Sequence, residues 1–170
     1  MPAIRILIPL LLIVTLAGCS TDDGRLRLVE TKSPVQLLRN EAWLRLPDVM
    51  VKGDYETLDV SMPCDEAGRE RSWLSRTTAL INNSFAPRTT TVAQELVDSF
   101  SEQGWTATVA SGAGNTEYTL EKEGSPARMS VLAVEKTADH RATIAISISG
   151  PCVATDGADS AEVRVLEGRS

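Results

Sequence analysis

The chain is poor in the residues that most enzyme chemistry uses. It has one histidine, His140, and only seven aromatic side chains in 170 residues. So few aromatics supply no row of stacking platforms for bases or sugars, although one well-placed Trp can still serve. Basic residues form no run; 17 Lys and Arg stand against 23 Asp and Glu, for a net charge of −6. Phosphate backbones are held by clustered bases, so nucleic acid is not an expected partner. There is no Gly-x-Ser-x-Gly nucleophile elbow, no Cys-x-x-Cys pair and no internal repeat. No apolar run reaches the about 20 residues that a membrane-spanning helix needs.

What is present is a short apolar start. Arg5 precedes residues 6–16, apolar apart from Thr15, and these lead through Ala17 and Gly18 to Cys19 and polar Ser20-Thr21-Asp22-Asp23. A positive beginning, an apolar stretch of this length and small residues before a cut site are the parts of a secretory signal. Leu16-Ala17-Gly18-Cys19 resembles the lipobox of bacterial lipoproteins. The resemblance implies cleavage before Cys19 and lipidation of its sulfur. It also implies a mature chain anchored in the cell membrane and facing the extracytoplasmic side. Residues 1–18 are then a signal peptide whose removal takes Arg5 with it, leaving 16 basic against 23 acidic side chains. What remains is one domain's length, enough to bury a real core.

Cys64 and Cys152 are then an even pair in an oxidising compartment, and a disulfide is expected between them. Zinc is the competing reading, but these cysteines lie 88 positions apart, without the short spacing of zinc ligands.

Taken in order, residues 19–32 read as a polar tether. It can extend to about 50 Å at most and reaches nearer about 20 Å as a flexible coil. Ser33-Pro34 has the form of a helix start, with a capping hydroxyl and a proline pre-set for the first turn. Val35, Leu38, Ala42 and Leu46 share one helical face, and Pro47 ends the run. Leu37 and Leu44 fall on the opposite face. They mark either a helix buried from two sides or a surface for a partner. Residues 55–60 and 72–81 read as strands, separated by a charged, solvated loop at 65–71.

Thr91 and Gln94 have capping-box spacing. Val92, Ala93, Leu96, Val97 and Phe100 form the apolar arc of a second helix, ended by Gly104. Four strands follow. Trp105, Ala107 and Val109 alternate with Thr; Tyr118 and Leu120 alternate with polar residues. Residues 129–134 are apolar on both faces except Ser130, and Ala142, Ile144, Ile146 and Ile148 alternate again. Their connectors are short and turn-like, so an antiparallel meander is expected. Residues 154–170 read as a polar, mobile tail, with 163–166 as a candidate edge strand. The whole predicts an α+β domain over residues 33–153. It has an antiparallel meander of about five strands, two helices on one face and one disulfide.

A helix ending in Gly104-Trp105, a meander with a Gly turn, and a last strand running into Gly150-Pro151-Cys152-Val153 are similar to small lipoproteins of actinobacteria. That resemblance implies a one-domain α+β fold with a disulfide, and no activity.

The candidates for chemistry are few. His140 lies in a turn between Asp139 and Arg141, the only imidazole available to activate a nucleophile. Asp65, Glu66 and Glu70 can hold a cation or act as an acid/base pair, but a solvated loop explains them more simply. Gly112-Ala113-Gly114 leads into a strand and reads as a hairpin turn, not a phosphate cradle. Asn82-Asn83-Ser84 has the spacing of a glycosylation sequon. No cofactor is called for. Three functions remain open: a non-catalytic envelope module that binds a protein partner, a carrier of a lipid or other apolar ligand, and a cell-wall hydrolase. The first is expected, with Leu37 and Leu44 as its partner surface.

Overall fold

The computed structural model describes residues 25–47, 55–81, 88–112, 114–136 and 141–169; the signal peptide 1–18, Cys19, the sequon at 82–84 and His140 lie outside them. In chain order the elements are α1 (Leu28–Leu44), β1 (Tyr55–Pro63), β2 (Glu70–Ile81), α2 (Thr89–Ser101), β3 (Thr106–Gly112), β4 (Asn115–Glu121), β5 (Arg128–Val134), β6 (Ala142–Ser149), β7 (Val153–Ala154) and α3 (Ala161–Leu166). The domain is α+β, with an antiparallel sheet and a Cys64–Cys152 disulfide.

The meander is real but covers only β3 to β6. The sheet runs β1-β2-β6-β5-β4-β3, and β7 pairs with the start of β2. The β1–β2 hairpin therefore docks on β6, the last long strand, and seven strands replace the expected five. Register places one residue from each of β4, β5, β6 and β2 in line across the inner face: Tyr118 opposite Val131, Val131 opposite Ile146, Ile146 opposite Thr77. Ile144, Ile146, Ile148, Met129, Val131, Ala133 and Leu120 are all fully buried on that face. Burying each large aliphatic side chain contributes roughly 1.5–3 kcal/mol. Both long helices cover this side. Gln94 of α2 accepts the Tyr118 hydroxyl at 3.0 Å, and Arg39 of α1 donates to Thr77 at 2.9 Å.

The first helix starts six residues earlier than Ser33-Pro34 suggests, at Leu28 with Arg27 as its cap. Leu28 and Thr31 continue the buried stripe of Val35, Ala42 and Leu46, so Leu28–Lys32 belong to the domain and not to the tether. The Glu30 carboxylate accepts the Arg27 N–H at 2.7 Å, and Glu162 of α3 accepts the Val29 N–H at 3.2 Å. Two of the free N–H groups of the helix start are thus satisfied. Pro34 sits inside α1. An interior proline costs about 3 kcal/mol, and the burial of Leu28 offsets a large part of it. At the other side of this contact, a Cβ on Gly150 would lie 3.1 Å from Val35 Cγ2. A side chain there would make α1 give by a few tenths of an ångström, so glycine suits the close approach of α1 just past the end of β6.

The second helix begins at Thr89 with Arg88 as its cap, so Thr91 is not the capping residue. Instead Glu135, just beyond β5, accepts the Thr90 N–H at 3.0 Å and the Thr90 hydroxyl at 2.7 Å. Burial pushes the Glu135 carboxyl up, and the Thr90 and Thr89 hydrogen bonds with the Arg88 charge outweigh it and hold it below its ordinary value. Gly104, at φ +85°, follows the helix end as expected. Phe100 and Trp105 then meet edge to face at 5.9 Å. Val109 is 62% exposed although it shares the inward parity of Ala107, because edge strand β3 runs out to the β3–β4 hairpin at Gly112–Asn115.

Residues 163–166 are not an edge strand: they lie in α3, whose Val163 is fully buried in the same core as Leu28. Among the described residues no helix is long and apolar enough to cross a membrane.

Candidate binding surface

The inner face changes character between its two halves. Under α2 it is aliphatic. Under α1 it carries Asp59 and Ser61 of β1 and Arg71, Ser75 and Thr77 of β2, around the fully buried Trp73. α1 turns a mixed flank toward this half. Lys32 Nζ lies 4.5 Å from the Trp73 ring centre and donates to the Leu166 carbonyl at 3.3 Å. Arg39 Nη2 lies 3.8 Å from Asp59 Oδ2. Trp73 Nε1 donates to the other Asp59 oxygen at 3.4 Å. Trp43 and Tyr55 meet at 5.4 Å at the far end. Among the described residues, Arg39 Nε and Ser75 Oγ are buried without a partner. A buried polar group left so costs about 1–3 kcal/mol, and Ser75 pairs across the ladder with Asp59. This is where hydrogen-bonding capacity under α1 is left unused.

A second polar network ties the C-terminal segment to β1 and β2. Arg71, read in the sequence as part of a solvated loop, is 7% exposed. Its Nε donates to Ser61 Oγ at 2.9 Å and its Nη2 to the Ser61 carbonyl at 3.0 Å. Ser61 Oγ donates in turn to Glu167 at 2.5 Å, and Arg169 Nε donates to the other Glu167 oxygen at 2.7 Å. Burial raises the Glu167 carboxyl, but the Ser61 hydrogen bond and Arg169 outweigh it and hold it below the ordinary carboxylate value. Sequence reading missed this network because its partners are 10 and 106 residues apart. The available signal was parity: Arg71 falls on the same side of the strand as Trp73.

The outer surface of α1 carries the residues singled out from sequence. Leu37 is 68% exposed and Leu44 80%, so α1 is not buried from two sides. β1 is an edge of the sheet; its Tyr55 is 57% exposed, and Leu58 and Met62, on the sheet face turned away from α1, are 46% and 43% exposed. Cys64 and Cys152 are bonded with Cα atoms 6.1 Å apart. Of the acidic loop, Asp65 accepts the Glu70 N–H at 3.0 Å, which shapes the β1–β2 turn. Among the described residues no three His, Cys, Asp or Glu side chains are placed to hold a metal ion. Glu121, Lys122, Glu123, Ser125 and Arg128 line a concavity of about 400 Å³ at the β4–β5 turn, where Arg128 pairs with Glu121. No protein-family model, curated protein or solved structure matches this chain.

Proposed function

We propose that this is a lipid-anchored, extracytoplasmic module of the bacterial cell envelope that binds a protein partner and performs no catalysis. The observation that carries the reading is the pair Leu37 and Leu44, two turns apart on α1 and both well over half exposed. Solvating two leucines on one face is unfavourable unless something covers them. Trp43 of the same helix meets Tyr55 at the start of edge strand β1. Arg39, Arg71, Glu135 and Glu167 each hold one element against another, which supports a structural role for them. The carrier reading draws less support, because the described inner-face isoleucines and valines pack in one cluster with the apolar sides of α1 and α2.

The anchor rests on the lipobox. In Cys19→Ala the protein leaves the membrane fraction or remains an uncut precursor; a processed, membrane-bound variant refutes the anchor. The partner surface is tested by Leu37→Asp with Leu44→Asp. Both side chains are exposed, so the unfolding free energy of the purified protein changes by no more than about 0.5 kcal/mol each. Crosslinking in cells then loses a partner band seen with the parent chain. Unaltered crosslinks place the partner surface elsewhere.

A further inference from the structure

The end of the domain where the described chain begins carries a second apolar surface, distinct from Leu37 and Leu44. Leu26 is 49% exposed, Val29 43% and Val165 77%. They belong to one place in the fold. Glu162 accepts the Val29 N–H, and Lys32 donates to the Leu166 carbonyl, so α3 lies against the first turns of α1. Val165 follows Glu162 by three positions and shares its side of α3. The charge here also differs from that of the chain as a whole. Residues 25–32 and 157–169 carry five basic side chains against four acidic, in a sequence whose acids outnumber its bases by six. Arg25, Arg27 and Arg164 are exposed among them, Arg27 lying 4.0 Å from Glu162.

We propose that this end of the domain rests on the bilayer. Leu26, Val29 and Val165 enter the boundary between headgroups and acyl chains, and Arg25, Arg27 and Arg164 lie at anionic headgroups. The proposal rests on the lipid-anchor reading of Cys19. From Cys19 to Arg25 is six residues, at most about 22 Å of fully extended chain. A folded domain is about 30 Å across, so nothing of that size fits between this end and the membrane. Apolar side chains held that close gain by leaving water, and neighbouring bases gain at an anionic surface. A chain this acidic is otherwise repelled there, and at this end of the described residues bases and acids are close to balance.

The test uses the full mature protein, lipidated, in vesicles of phosphatidylethanolamine and phosphatidylglycerol with brominated acyl chains. An environment-sensitive fluorescent amino acid is placed at Val29, at Val165 or at Leu44. All three positions are exposed, and Leu44 lies about 22 Å along α1 from Val29. Quenching is expected to be at least about threefold stronger at Val29 and Val165 than at Leu44, because bromine must come near the probe within the interface. Leu26→Ser combined with Val165→Ser should lower the quenching at Val29 without releasing the protein. Equal quenching at the three positions, with lipid found on Cys19 by mass spectrometry, overturns the proposal and leaves the anchor standing. A Cys19 without lipid overturns both.

Discussion

Replacing Cys64 and Cys152 together by serine lowers the unfolding free energy by about 4–5 kcal/mol, the chain-entropy value for a loop closed across 88 positions. The melting temperature of a domain this size falls by on the order of 10–15 °C. The loss belongs mainly to the unfolded chain, because the folded one is tied at the same place without the bond. Cys64 N–H donates to the Glu70 carbonyl at 2.8 Å, Thr155 N–H to the Arg69 carbonyl at 2.7 Å, and Val153 pairs with Arg71 across β7 and β2. The variant should therefore show a parent-like circular dichroism spectrum at low temperature and an earlier urea midpoint. A shift below about 1 kcal/mol means the unfolded chain is already compact around this link. A changed native spectrum instead means that the bond shapes the hairpin end of the sheet. In the parent, thiol labelling of the oxidised, denatured chain should find neither residue reactive.

The parts of this fold legible in the sequence are those whose signal is local. Ile144, Ile146 and Ile148 alternate, and all three are fully buried. Val35 and Ala42 keep helical spacing and lie in the buried stripe of α1, with Leu46 buried just past its end. What was not legible depends on partners distant in the chain. The docking of β2 on β6 joins Leu74 to Ser149, and no turn signal connects them. The start of α1 was hidden because Ser33-Pro34 is a good local boundary, while Leu28 is held by Val163 and its neighbours, more than 130 residues away. The polar half of the inner face was the least readable. Charge argues for solvent at Arg71, yet it is buried. Burial was decided by Ser61 and Glu167, whose own contact no sequence pattern announces. The exposure of Leu37 and Leu44 follows from their angle to the buried stripe of α1, which leaves open what covers them.

Glu167→Ala should be among the most damaging single changes in the domain, although it lies outside every strand and helix. The side chain is 13% exposed and the Arg71 side chain beside it 8%, with 3.8 Å between Arg71 Nη2 and Glu167 Oε1. Removing the carboxylate leaves a nearly buried guanidinium with only Ser61 to hold it, and leaves Arg169 with Asp159 and the Ala158 carbonyl. Breaking a buried pair from one side costs about 3–5 kcal/mol. The exposed pair Arg128–Glu121 provides the contrast, both side chains being at least 60% exposed. Glu121→Ala should cost less than about 1 kcal/mol. Acid dependence separates a lost charge from lost packing. The folded-state value of Glu167 is lowered, so its contribution is complete above the ordinary carboxylate value of the unfolded chain. It is lost as pH falls through that value toward the folded one. Urea midpoints measured from neutral to acid pH should therefore converge for the parent and Glu167→Ala. If the gap between them stays constant with pH, the network acts through shape alone. If Glu167→Ala costs no more than Glu121→Ala, then α3 does not hold β1 and β2 together through this carboxylate.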